Sequence, residues 1–163
     1  MIDDLLAYLD DYTLPAAFAL LPPRMTSPAA RALLLAIGLQ ESGFDHRHQI
    51  GGPAHGFWQF EKGGGVFGVL THPVTNPIIE PICQLLRVDP TPAACYTAIE
   101  HHDVLAACFA RLLLWTDYRV LPTPAQAGKG WAIYLAQWRP GKPHPQTWPA
   151  CFTLAWQTVG WQP

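Results

Sequence analysis

Apolar residues recur at helical spacing along most of the chain, and the breaks between these runs carry helix-starting signals. Residues 2–11 read as a short amphipathic helix, and residues 14–21 as a second, stopped by Pro22-Pro23. Ser27-Pro28 opens a strong helix through Glu41. A hydroxyl there caps the first turn and the proline presets φ, while Gly43 suits the left-handed position past the end. This helix is apolar nearly all round, which predicts burial. Residues 42–77 lose the pattern and hold eight glycines between Gly43 and Gly68, enough for a small hairpin or for loops only. Helical spacing returns weakly over residues 78–87. It continues from Thr91-Pro92 to about His101, strongly over 103–116, from Thr123-Pro124 to about Trp138, and from Trp148 to Val159 behind Thr147. The pattern predicts a mainly α, single helical domain over residues 1–163, interrupted by one long Gly-rich loop. A loop beyond about 12–15 residues in a compact domain usually serves a site.

Composition sharpens this picture. Of 163 residues, half are hydrophobic and 13% charged, against about a quarter charged in ordinary domains, so a single buried core is expected and disorder is excluded for most of the chain. A net charge of −2 argues against a nucleic-acid protein held by a basic face. The 17 prolines fall largely at helix starts and turns, and the 7 tryptophans suit a core together with an aromatic-lined groove. No run reaches the ~20 apolar residues that span a bilayer, so no integral membrane segment is expected. Met1-Ile2-Asp3-Asp4 has acids where a signal peptide has bases, so synthesis without a Sec signal is expected. Cys83, Cys95, Cys108 and Cys151 show no C-x-x-C pairing and read as buried thiols.

Chemistry concentrates at the end of the buried helix. Leu33, Ile37 and Glu41 share one face at i, i+4, i+8. Desolvation and the negative end of the helix dipole both disfavour a carboxylate anion there, so Glu41 is expected to have a raised pKa and to act as a general acid.

Downstream, Glu41-Ser42-x-Phe44 is followed by Gly51-Gly-Pro-Ala-His-Gly56-Phe57-Trp58-Gln59-Phe60, and much later by Trp138-Arg139-Pro140-Gly141. In order and spacing these segments resemble soluble lytic transglycosylases and goose-type lysozymes of the lysozyme-like superfamily. The resemblance covers about residues 28–61 and 131–156, and the missing signal with the small size resembles phage muralytic enzymes. It implies an α+β lysozyme-like fold and cleavage of the β-1,4 MurNAc–GlcNAc bond of peptidoglycan, at the bacterial wall. Glu41 matches the catalytic acid/base, Ser42 the residue that supports it, and Gly56 and Gln59 the second motif, with Phe57-Trp58 where the family has Leu-Met. Arg139 departs from the family by replacing an Asn.

Single-acid chemistry gives a 1,6-anhydro product, whereas a hydrolase wants a second carboxylate, for which Glu61 and Asp45 are the choices. The single-acid route is favoured. A non-catalytic wall-binding or virion protein on the same fold is the third reading. Phe57, Trp58, Gln59, Tyr134, Trp138 and Arg139 are the expected substrate-binding residues, because flat aromatics suit the apolar faces of sugars. Two-thirds of the aromatics are nevertheless expected in the core. His46-x-His48 with His55 reads as a loop pair facing sugar or solvent, Asp103 as the N-cap of the 103–116 helix, and Gly63-Gly64-Gly65 as a mobile rim. No cofactor or metal is expected, the partner is the glycan strand, and the protein is expected to be a monomer.

Overall fold

A computed structural model describes residues 1–162. The chain is mainly helical. Helix α1 (Ile2–Tyr8) and α2 (Leu14–Leu20) are joined by a π turn over Leu9–Thr13, and helical dihedrals run through both junctions. The two helices expected at the N-terminus are therefore one rod with a π-bulge, ending where Pro22-Pro23 forbids continuation. Asp10, buried in that bulge, pairs bidentately with Arg31 on the next helix.

Helix α3 (Pro28–Ser42) starts and ends as its sequence predicts. The Ser27 hydroxyl accepts from Ala30 N at 3.0 Å, and Gly43 closes the helix at φ +62°. Residues 32–38 of α3 are all buried, and α9 (Trp148–Thr158) packs along it. The shorter helices are α4 (Phe67–Thr71), α5 (Asn76–Leu85) and α6 (Pro92–Ile99), followed by the longer α7 (Asp103–Trp115) and α8 (Ala127–Trp138). One apolar cluster runs from Leu6 to Trp156 and draws on every long helix. Among the described residues, no helix is long and apolar enough to cross a membrane.

Three local expectations are corrected. Thr123 does not open a helix: its N–H donates to Gln126 Oε1 in a turn, and α8 begins at Ala127. Asp103 is not the cap of α7. His102 Nδ1 accepts from Leu105 N, which leaves Asp103 to bind Arg47 at 3.0 and 2.7 Å. The stretch 42–77 is less irregular than its glycines suggest, since a π turn over Lys62–Val66, α4 and the start of α5 lie within it. Gly65 there packs so closely on Phe60 that a Cβ would come within 2.5 Å of the ring.

The remaining loop holds a rudimentary hairpin. Antiparallel bridges join His48 to His55 and His55 to Phe60, without a full strand. The turn at Gly56 has φ +74° and lies against the Ile99 backbone, 2.8 Å from where a Cβ would sit, so both conformation and space require glycine.

All four thiols are free; Cys83, Cys95 and Cys108 are buried as expected, whereas Cys151 is only partly so. Cys83 and Cys95 lie with their Sγ atoms 3.6 Å apart.

Candidate active site

Glu41 lies in the last turn of α3 and is partly buried. The Tyr134 hydroxyl, on α8, donates to Glu41 Oε1 at 2.6 Å. Burial raises the Glu41 pKa to about 7, and the Tyr134 hydrogen bond opposes that rise by favouring the anion. Burial and the neighbouring carboxylate also push the Tyr134 phenol upwards, so it stays a donor. A carboxyl group that exchanges its proton near neutral pH can serve as acid in one step and base in the next.

Ser42 is buried beside it. Its hydroxyl donates to the Phe57 carbonyl at 2.7 Å and accepts from Phe44 N at 3.1 Å. It therefore ties the end of α3 to the hairpin loop. Gln40, on the other side of Glu41, reaches the segment between α8 and α9: its Nε2 donates to His144 O at 3.1 Å and its Oε1 lies 3.0 Å from the Thr147 hydroxyl. Glu41 is thus flanked by two residues that anchor it to distant parts of the chain. The Phe44 ring lies over Gly38 and meets Phe57 and Trp58 edge-on at centroid distances of 5.2 and 6.0 Å.

The expected substrate-binding residues divide. Phe57 and Trp58 are core residues in this structure, at 2% and 0% exposure, and the Trp58 indole donates to Leu34 O at 2.8 Å. They cannot touch a glycan without rearrangement, which corrects the sugar-facing expectation for both. Gln59 is also buried, with φ +48°, and its amide donates to Gly56 O at 2.8 Å rather than to Glu41. Tyr134 is likewise buried; its ring stacks on Trp148 at 5.5 Å and its hydroxyl is occupied by Glu41. Trp138 is partly exposed, with its indole N–H held by Trp58 O at 2.9 Å. Arg139 is exposed at the end of α8 with φ +50°, a conformation that Asn or Gly adopts at less cost.

Neither expected second carboxylate joins Glu41. Glu61 is exposed at the start of the Gly-rich π turn, and Asp45 is exposed just past α3. Two of the surface hollows, of about 620 and 630 Å³, are lined by residues 48–53 and by parts of the Leu9–Thr13 turn, α2, the Pro23 turn and α3; neither includes Glu41.

The Tyr134–Glu41 bond and the Gln40 tether escaped sequence reasoning. A Tyr one helix-turn before Trp138 carried a signal only in its shared face with the third motif. His48 and His55 meet Glu100, a residue no motif singled out, whereas His46 is not in that cluster.

No protein-family model, curated protein or solved structure matches the chain.

Proposed function

We propose that this protein cleaves peptidoglycan glycan strands at the β-1,4 MurNAc–GlcNAc bond, on a lysozyme-like α+β fold, with Glu41 as general acid/base. The observation that carries this reading is the half-buried Glu41 carboxyl at the end of α3, with a pKa raised to about 7 and a Tyr134 hydrogen bond on one oxygen. Protonated Glu41 donates to the glycosidic oxygen as the sugar gains oxocarbenium character. The resulting carboxylate, steadied by the Tyr134 hydroxyl, then takes a proton from the sugar's own 6-hydroxyl and gives a 1,6-anhydro end. With Asp45 and Glu61 exposed and unjoined to Glu41, the lytic transglycosylase route is favoured over a two-carboxylate muramidase. Action at the bacterial cell wall follows from the substrate.

One observation favours a second, non-catalytic reading, in which the fold binds wall glycan without cutting it: Glu41 is largely buried and one of its oxygens is already taken by the Tyr134 hydroxyl. Both readings meet one experiment. Purified wild type and Glu41→Gln are incubated with peptidoglycan, and the released muropeptides are analysed by mass spectrometry. Anhydro-MurNAc ends from wild type alone support the proposal. Reducing MurNAc ends assign a muramidase, and equal yields from both proteins, or none, exclude Glu41 chemistry.

A further inference from the structure

Away from Glu41, two histidines of the hairpin loop converge on one carboxylate at the end of α6. His48 Nδ1 lies 3.5 Å from Glu100 Oε1, and His55 Nε2 lies 3.4 Å from Glu100 Oε2. The donor atoms of the three residues all lie within 4.8 Å of one another. His101, exposed, brings Nε2 to 3.5 Å from Oε1 on the solvent side.

The tautomer of His55 gives this cluster its meaning. His55 is buried, its Nδ1 is 3.0 Å from the Tyr96 carbonyl, and its ring stacks on Tyr96 at 3.8 Å. A carbonyl only accepts, so Nδ1 carries the proton. In the neutral ring Nε2 is then a bare lone pair facing a carboxylate oxygen. Two acceptors held 3.4 Å apart repel unless a positive charge lies between them. Imidazole fixed by a backbone carbonyl on its far nitrogen is also the arrangement that orients histidine towards a metal.

We propose that His48, His55 and Glu100 form a binding site for a divalent transition-metal ion of the zinc class. Two imidazoles and a carboxylate are zinc ligands, and bonds of about 2.0–2.1 Å in a tetrahedron put neighbouring donors about 3.3 Å apart. The 3.4 Å between His55 Nε2 and Glu100 Oε2 already meets that edge, whereas the 3.5 Å contact of His48 Nδ1 is to the other oxygen, Oε1. The wider gap closes by movement of His48, which is exposed. His101, which is exposed, reaches the same carboxylate, and the open hollow over residues 48–53 includes His48. The ion fastens both arms of the hairpin loop to α6. This loop carries the Phe57 carbonyl that receives Ser42, so metal loading stiffens the support behind Glu41 without touching it.

The test uses the full chain, freed of metal with a chelator, and reads binding without any wall substrate, so it stands or falls separately from the glycosidase reading. Zn²⁺ titrated by calorimetry is expected to bind at one equivalent and to raise Tm. Co²⁺ is expected to show tetrahedral ligand-field bands without a thiolate charge-transfer band. His48→Ala, at an exposed position that leaves folding intact, is expected to weaken binding more than about tenfold, as is Glu100→Gln, while His46→Ala does not. Wild type that binds no Zn²⁺ overturns the proposal. Binding that survives His48→Ala and Glu100→Gln, or a thiolate band pointing to Cys83 and Cys95, overturns it as well.

Discussion

Tyr134 donates its hydroxyl to Glu41 Oε1 at 2.6 Å across 93 residues of chain. The bond joins the last turn of α3 to the middle of α8 and acts against the burial that raises the carboxyl pKa. Its removal should therefore raise that pKa further. In Tyr134→Phe the Glu41 carboxyl is expected to titrate above its wild-type value of about 7, read by ¹³C NMR of labelled Glu. If the protein cleaves glycan, the basic limb of its pH–rate profile moves up with it. An unchanged titration would mean that Glu41 does not feel the phenol.

The same carboxyl makes stability depend on pH. Its folded pKa of about 7 exceeds the ordinary 4.5, so the native state holds the proton more tightly than the unfolded chain does. Stability contributed by the protonated group is complete below pH 4.5 and is lost as pH rises to about 7. The full shift corresponds to ~3 kcal/mol, an upper bound for a group partly open to water. Glu41→Gln keeps an acceptor for Tyr134 and removes the ionisation. It is expected to be more stable than wild type in urea at pH 8, by a margin that shrinks towards zero at pH 4.

Ser42 links α3 to the hairpin loop through one buried hydroxyl. Ser42→Ala leaves the Phe57 carbonyl and Phe44 N–H without that partner. The expected cost is about 1–3 kcal/mol in chemical denaturation, with amide exchange accelerated over residues 44 and 57. A loss confined to α3 would show that the loop is held by other contacts.

Gly38 leaves room for the Phe44 ring, and a Cβ there would sit 2.1 Å from Phe44 Cζ. Gly38→Ala would gain helix propensity in an ordinary helix. Here the ring must move, and it packs on Phe57 and Trp58. A net destabilisation of about 1–3 kcal/mol is expected, measured by thermal or urea unfolding. A more stable variant would show that the ring repacks freely.

Local signals were legible where the chemistry is local. Ser27 and Thr91 cap the helices that their Ser-Pro and Thr-Pro pairs announced, because a hydroxyl needs only the N–H three residues on. Thr123-Pro124 carried the same signature but gave only a turn, in which Gln126 Oε1 accepts from the Thr123 N–H and the helix waits until Ala127. Thr147 starts α9 without a side-chain cap, its hydroxyl being turned towards Gln40 and His144. Asp103 was a good cap by type, but the carboxylate was drawn to Arg47, 56 residues away. Phe57-Trp58 sat in a motif that suggested a sugar wall; the Leu34 carbonyl drew the indole inwards, a partner 24 positions back that no local pattern reveals.

The amino-acid sequence by itself determined the helical character, the burial of α3 and the position of Glu41 at its end, because apolar periodicity and capping act within a few residues. Tertiary structure alone decided which groups surround that carboxyl and which aromatics are free. It brought Tyr134 to Glu41, sealed Trp58 in the core, and set His48 and His55 against Glu100. These are choices between partners far apart in the chain, made by the packing of whole helices, and no short-range pattern encodes them.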